Sequence, residues 1–189
     1  MKKFCFFILS ASLFCCSGNN NKIQMQYEQI EKIIGTKIIF PDSVQFIDLI
    51  SRKVSNDTLF EKNSKIKITT NIDGTCHACV GQLKLWTDFI DNHKEHLIGV
   101  SFLFFVQIYD YSIFEFLVKD VYFPYPIIYD SKDEYIVKNK LPFYNTDYQT
   151  FLLNEKNEIY LVGNPIYNRK LADLYIQEIK KMKHRNIIF

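Results

Sequence analysis

No stretch of the 189-residue chain stays apolar for long enough to cross a bilayer. The N-terminal candidate, Phe4 to Phe14, falls short of the roughly 20 residues that a spanning helix needs. A surplus of one charge is also missing. With 23 Lys and Arg against 21 Asp and Glu, the net charge is only +2, and the sequence pI of 8.2 carries no nucleic-acid signal. There is no internal repeat, and the only biased tract is the short Asn-rich SGNNNK. Disorder is excluded from the other side, since 48% of residues are hydrophobic and 16% aromatic. One domain with a substantial core is the expectation at this length.

The N-terminus MKKFCFFILSASLFCCSG sets Lys2 and Lys3 before the apolar run, which reads as an export signal rather than an anchor. Its end, Leu13-Phe14-Cys15-Cys16-Ser17, resembles a bacterial lipobox, with Leu three residues before Cys16 and a small residue immediately before it. Residues 1–15 are thus the expected lipoprotein signal and Cys16 the lipidation site. An ordinary secretory signal without lipid is the alternative. Cleavage there removes Lys2 and Lys3 and makes the remaining chain formally neutral. It also removes Cys5 and Cys15 and blocks Cys16, so Cys76 and Cys79 become the only free thiols, in a compartment where disulfides persist.

Residues 16–62 read as tether and N-terminal extension. SGNNNK is too polar to pack. Ile23, Tyr27, Ile30, Ile33 and Ile34 recur at helical spacing up to Gly35, an extended piece is broken at Pro41, and SRKVSNDTLFEKNSK reads as polar connection. From residue 63 the pattern sharpens. Ile66, Ile68, Thr70 and Ile72 alternate with polar residues, giving a strand that stops at Asp73-Gly74. Val80, Leu83, Trp86, Phe89 and Ile90 form a helical stripe, and LIGVSFLFFVQI is a strand buried on both faces.

Tyr111 to Val121 reads as a helix, Ile127 to Tyr129 as a short strand, and SKDEYIVKNK as a helix capped by Ser131. TFLLNEKNEIYLV gives two strands around a Glu-Lys-Asn turn, and Leu171 to Met182 a C-terminal helix with cations near its end. The order β-α-β-α-β-α-β-β-α makes the helix-separated strands parallel and the last pair antiparallel, in an α/β mixed central sheet with helices on both faces.

The chemistry concentrates in DGTCHACVG, where Cys76 and Cys79 sit between a strand and a helix. Unpaired N–H groups and the helix dipole stabilise a thiolate there, and thiols in such positions titrate at about 3.5 to 7.5 rather than about 8.5. Cys76 reads as the attacking thiol and Cys79, one turn on, as the resolving one. His77 either supports the Cys76 thiolate or is a plain solvent-facing residue, and Thr75 is a candidate cap. Redox exchange is favoured over an inert clip, because so short a loop restricts the unfolded chain little. It is also favoured over a metal site, for which only His77, His93, His96 and His184 would remain as nitrogen ligands; His93 and His96 read as surface residues.

The strand, the CHAC at a helix start, the buried FLFFV and the late hairpin TFLLNEKNEIYLVGNP together resemble the thioredoxin-like superfamily, and within it the envelope-anchored redoxin and thiol-disulfide oxidoreductase lipoproteins. The resemblance covers roughly residues 60 to 185. It implies a thioredoxin-like fold over residues 63–189, catalytic Cys76 and Cys79, no metal or other cofactor, and protein thiols or disulfides of the bacterial envelope as partners, with no nucleic acid. It implies a lipoprotein facing the periplasm or cell surface.

Three departures stand out. Gly74 and Thr75 occupy the place of the family's aromatic before the first cysteine. Tyr148, in Tyr148-Gln149-Thr150-Phe151, falls where a cis-proline is usual, and Pro142 lies too early to replace it. A cis bond costs far more before Tyr than before Pro, so a trans bond is expected and Tyr148 becomes a candidate lid. Thr70 stands in place of the buried acid. The missing proline also supports an alternative, a thioredoxin-like binding module for a metal or protein without redox turnover.

Overall fold

The computed structural model describes residues 28, 30–42, 44–57, 64–141 and 148–187. The signal segment, Cys16, the tether and Pro142 lie outside them. The chain divides into residues 1–32 and 33–189. In the first unit Glu28 and residues 30–32 are described, and they are helical. In the second, Gly35 at φ +78° follows that helical stretch, where its missing Cβ removes the left-handed penalty.

One seven-stranded sheet organises the second unit, in the order β2-β1-β5-β4-β3-β6-β7. The strands are β1 (Val44–Ile47), β2 (Val54–Asp57), β3 (Ile66–Asp73), β4 (Val100–Gln107), β5 (Ile127–Tyr129), β6 (Thr150–Leu153) and β7 (Ile159–Val162). The α-helices that follow β3 are α1 (His77–Val80), α2 (Gln82–Asn92), α3 (Lys94–Leu97), α4 (Tyr111–Val118), α5 (Glu134–Asn139) and α6 (Arg169–Ile187). As the element order requires, β3 pairs parallel with β4 and β4 with β5, while β6 and β7 pair antiparallel. The mixed sheet with helices on both faces is the one expected.

Residues 51–57 correct the sequence reading. They are not plain connection: they hold β2, which pairs antiparallel with β1, itself paired with β5, so β1 and β2 together extend the sheet by two strands. Asp48 closes the hairpin by accepting from the Ile50 and Ser51 amides at 2.9 and 2.8 Å. The alternation of β2 is too short to register as a strand; its pairing with neighbouring β1 decides it, and β1 is itself held by β5 far downstream, Ile47 opposite Ile127.

The core has two halves, one on each face of the sheet. On the first, Ile66, Ile68, Ile72, Phe104 and Val106 meet Val80, Leu83 and Trp86 of the motif helices and Tyr175 and Ile179 of α6. Trp86 is fully buried, edge-on to Phe104 with ring centroids 5.5 Å apart. On the second, Phe105, Phe151 and Leu153 meet Ile38, Phe40 and Tyr135, and the Phe105 and Tyr135 rings stack at 4.0 Å. Both faces being covered, β3 is buried through its polar residues as well: Lys67, Thr69 and Asn71 are each inside. The buried β4 was legible as such, since a strand sandwiched between helices has no wet face.

Several boundaries shift. The motif helix is interrupted at Gly81, and α4 ends at Val118 rather than Val121. α5 begins at Glu134, not at Ser131, and its first amides are held by Asp130, which accepts from Glu134 N and Tyr135 N at 2.9 and 3.0 Å. The Asp130 carboxyl is raised above its ordinary range chiefly by burial, against the lowering effect of those amides.

Candidate functional site

β3 ends at Asp73, whose carboxylate accepts from Thr75 N at 2.8 Å and Thr75 Oγ1 at 2.7 Å. That closes a turn specific to Asp and Asn and spends the Thr75 hydroxyl on it. Thr75 is therefore not the helix cap: Cys76 is, with extended dihedrals and Sγ accepting from Cys79 N at 3.3 Å. Gly74 makes the turn possible by its size. Its N–H donates to Gln107 O at 2.8 Å, and a Cβ there would lie 2.6 Å from the same oxygen.

Cys76 and Cys79 form a disulfide with Cα atoms 5.1 Å apart, both half-buried. His77 is exposed on the first turn of α1. A half-buried bridge at the C-terminal end of a central parallel strand is accessible to one attacking sulfur and backed by protein on its other side. Beneath the motif, Thr70 is buried and its hydroxyl hydrogen-bonds the Thr150 hydroxyl at 2.8 Å. A neutral pair thus fills the place of the buried acid.

Tyr148 is half-buried just ahead of β6. Thr70 pairs with Thr150 in the β3–β6 ladder, and Asn71 N donates to Gln149 O at 3.3 Å, so the register brings Tyr148 level with Ile72 at the motif's end of the sheet. No cis peptide bond occurs among the described residues; the bond into Tyr148 starts at Asp147, outside them. The structure thus brings Cys76, Cys79 and His77 together and puts Tyr148 at the same end.

Sequence reading missed a polar cluster on the opposite face of that end. Asn71 Nδ2 donates to Gln107 Oε1 at 3.2 Å and Gln149 Oε1 at 3.0 Å, Gln107 Nε2 donates to Asp133 at 2.7 Å, and Tyr109 Oη donates to the same carboxylate. Asn71, Gln107 and Gln149 are all buried, and Asn71 Oδ1 has no partner among the described residues. Partial desolvation of the Tyr109 hydroxyl, on a side chain that stays 61% exposed, and the Asp133 carboxylate beside it push its pKa up to about 12. The only sequence signal was a polar residue at the end of each of three strands.

His93 and His96 are half-buried rather than plainly surface residues: the His93 ring lies 5.1 Å from that of Phe89, and His96 O accepts from Lys183 Nζ at 2.7 Å. Lys183 also donates to Ile98 O at 2.6 Å, so this C-terminal cation serves a neighbouring helix end. Among the described residues no three His, Cys, Asp or Glu side chains gather as metal ligands, and no helix is long and apolar enough to cross a membrane.

No family model and no curated protein matches the chain. Solved structures do. A thioredoxin-like protein from Bacteroides caccae matches at a TM-score of 0.53 and 16% identity over 84% of this chain, which spans 54% of that protein's length. The thioredoxin domain of a thiol-disulfide oxidoreductase from Bacteroides vulgatus matches at 0.51 and 11% identity, covering 76% of this chain and 97% of that one. A domain of a possible thiol-disulfide isomerase from Cytophaga hutchinsonii matches at 0.52 and 17%, covering 80% and 96%. The chain therefore has the thioredoxin-like fold, with Cys76 and Cys79 bridged where its central strand β3 gives way to helix.

Proposed function

We propose that the chain is a thiol-disulfide oxidoreductase of the bacterial envelope, tethered to the membrane through a lipidated Cys16, in which Cys76 attacks and Cys79 resolves. One observation carries this reading: the Cys76–Cys79 bridge stands at the start of the helix that follows a central strand of a thioredoxin-like sheet. The oxidoreductase and isomerase names of the similar structures support the same class of chemistry.

In the reduced protein the Cys76 thiolate attacks one sulfur of a partner disulfide. That S–S bond breaks, and the other partner sulfur leaves and takes a proton. Cys79, deprotonated, then attacks Cys76 Sγ, forms the Cys76–Cys79 bond and releases the second partner thiol. Two electrons pass to the partner, and a dithiol of lower potential restores the reduced pair. Run backwards, the same steps oxidise a partner dithiol. Tyr148 is the lid over the exchange, and His77 stands beside the attacking sulfur.

Alkylation of the reduced protein against pH tests the assignment. Cys76 should titrate below the free-thiol value of about 8.5, and Cys76→Ser should abolish exchange while Cys79→Ser traps a mixed disulfide. An apparent pKa at or above the free value, with no trapped intermediate, would remove the redox reading. A second reading, binding of a metal or protein without turnover, is favoured by Tyr148 in the place of the proline. Metal content of anaerobically purified protein, with Cys79→Ser as control, decides between them: bound metal lost in the variant supports binding, and a metal-free, cycling disulfide sinks it.

A further inference from the structure

Cations gather at the end of the sheet farthest from Cys76. There β3 and β4 start and β6 turns into β7, and Lys65, Lys156 and Arg185 meet around a hollow of about 210 Å³. We propose that this end docks on anionic phospholipid headgroups, a headgroup phosphate entering the hollow, so that the Cys76–Cys79 bridge faces away from the membrane. The proposal goes beyond the redox reading and rests on the tether at Cys16, not on the exchange chemistry.

Charge is the first argument. Arg185 is held at the hollow by donating to Tyr160 Oη at 3.0 Å. Arg52 and Lys53 in the β1–β2 hairpin and Lys94 in α3 widen the basic surface, and all are exposed, as are Lys65, Lys156 and Arg185. Acids at this end largely have partners of their own: Asp48 takes the Ile50 and Ser51 amides, Glu158 accepts from Asn154 Nδ2 at 2.8 Å and Glu178 from Lys181 Nζ at 2.6 Å. Glu95 and Glu155 stand beside Lys94 and Lys156. The hollow is smaller than the roughly 300–1,000 Å³ of ordinary ligand sites, which suits one phosphate group rather than a whole ligand.

Distance is the second. At the motif end the sign reverses, with Asp73, Asp110, Asp130 and Asp133 at or after the ends of β3, β4 and β5 and Lys132 among them. The eight residues of β3 separate the two ends by about 26 Å. That is several times the Debye length of about 8 Å at physiological salt. Headgroups therefore attract the cations of one end without repelling the acids of the other, and each basic residue at such a surface strengthens binding about fivefold.

Apolar contact and chain entry are the third. Ile98, just before β4, is 74% exposed, and Ile50, in the β1–β2 hairpin, is 56% exposed. Cations combined with apolar side chains hold proteins in a lipid interface. The chain also joins the sheet at this end, where Gly35 N donates to Ile159 O at 2.8 Å. From Cys16 to Gly35 the chain reaches at most about 65 Å, enough for either end of the sheet to meet the bilayer, so charge rather than the leash selects the end.

The test places protein purified from bacterial membranes on vesicles of phosphatidylcholine, or of phosphatidylcholine with an equal share of phosphatidylglycerol. The vesicles are floated, and acetylation of each lysine by a water-soluble reagent is read by mass spectrometry. On the anionic vesicles Lys65 and Lys156 should react about fivefold more slowly than on the neutral ones, with Lys132 unchanged. Salt at about 0.5 M should erase the difference. Lys156→Gln with Arg185→Gln should return Lys65 to its rate on neutral vesicles. Lys53→Gln with Lys94→Gln, away from the hollow, should weaken the protection independently should the first pair fail to fold. Flotation with both vesicles and equal labelling on each would overturn the docking and leave the tether standing. Flotation with neither would overturn both. Slowing of Lys132 in place of Lys65 would turn the motif end to the lipid and overturn the proposal. Inorganic phosphate that protects Lys65 and Lys156 as well on neutral vesicles as phosphatidylglycerol does would assign the hollow to a free anion and overturn the membrane docking.

Discussion

Asn71 and Gln149 are joined twice, through Asn71 N to Gln149 O at 3.3 Å and through Asn71 Nδ2 to Gln149 Oε1 at 3.0 Å. The pair extends the β3–β6 ladder one residue beyond Thr70 and Thr150 and ends beside Tyr148. A proline would pin that segment by its ring; here buried amide side chains hold it across the strands.

Breaking this clamp should therefore cost stability and disturb exchange together. Asn71→Leu takes a donor from both amides and leaves Gln107 Oε1 buried without the Asn71 bond, at about 1–3 kcal/mol for that orphaned group. Urea unfolding of the oxidised variant should show that loss. Its peptide exchange rate should fall more than its exchange with a small disulfide, because the backbone beside Tyr148 has lost its hold. Unchanged unfolding midpoints would remove the clamp.

Gly74→Ala should be harsher than a surface substitution in a turn normally is. The added carbon meets Gln107 O at 2.6 Å and Val106 Cγ1 at 3.0 Å, contacts that require the backbone of the motif turn to move. An overpacking cost of about 1–3 kcal/mol follows, read as a lowered melting temperature. The Cys76 alkylation rate should change as well, since the turn sets where Cys76 stands.

High pH should weaken the fold. Partial desolvation and the Asp133 carboxylate raise exposed Tyr109 to about 12, and burial raises fully buried Tyr135 and Tyr175. An unfolded tyrosine loses its proton near 10, so between 10 and the raised folded values the unfolded state binds fewer protons. The stabilisation from the protonated hydroxyls is complete below pH 10 and is lost as pH rises through those folded values. Absorbance titration should find Tyr109 ionising about 12, and Tyr109→Phe should remove that step.

Asp130→Ala should fray α5. The carboxylate accepts from two first-turn amides, and among the described residues no other side chain caps that helix start. A cost of about 1 kcal/mol is expected from the lost cap. Amide exchange at Glu134 and Tyr135 should accelerate before that of β4, whose hydrogen bonds lie inside the sheet.

How much of this was legible depended on whether the signal was local. The alternation of Ile66, Ile68 and Ile72, the stripe through Leu83 and Trp86, and the continuous apolar β4 are consequences of strand and helix periods, and each element lies where the sequence places it. The order of those elements forces parallel pairing across helices and antiparallel pairing across the late turn, so the mixed sheet followed as well. Cys76 and Cys79 could be located between strand and helix for the same reason.

The rest was decided between residues far apart in the chain. Strand β2 exists because β1 finds β5. The motif cap is the local exception: Cys76 rather than Thr75 caps the helix because Asp73, two residues before Thr75, claims it first. The buried Asn71, Gln107 and Gln149 read singly as polar strand ends. Only when both faces of the sheet are covered do their amides lose water and have to satisfy one another. A groove beside His77 belongs to the same class: one side comes from the motif helices and the other from the end of α4 and the residues after it, and the space between them is set by packing.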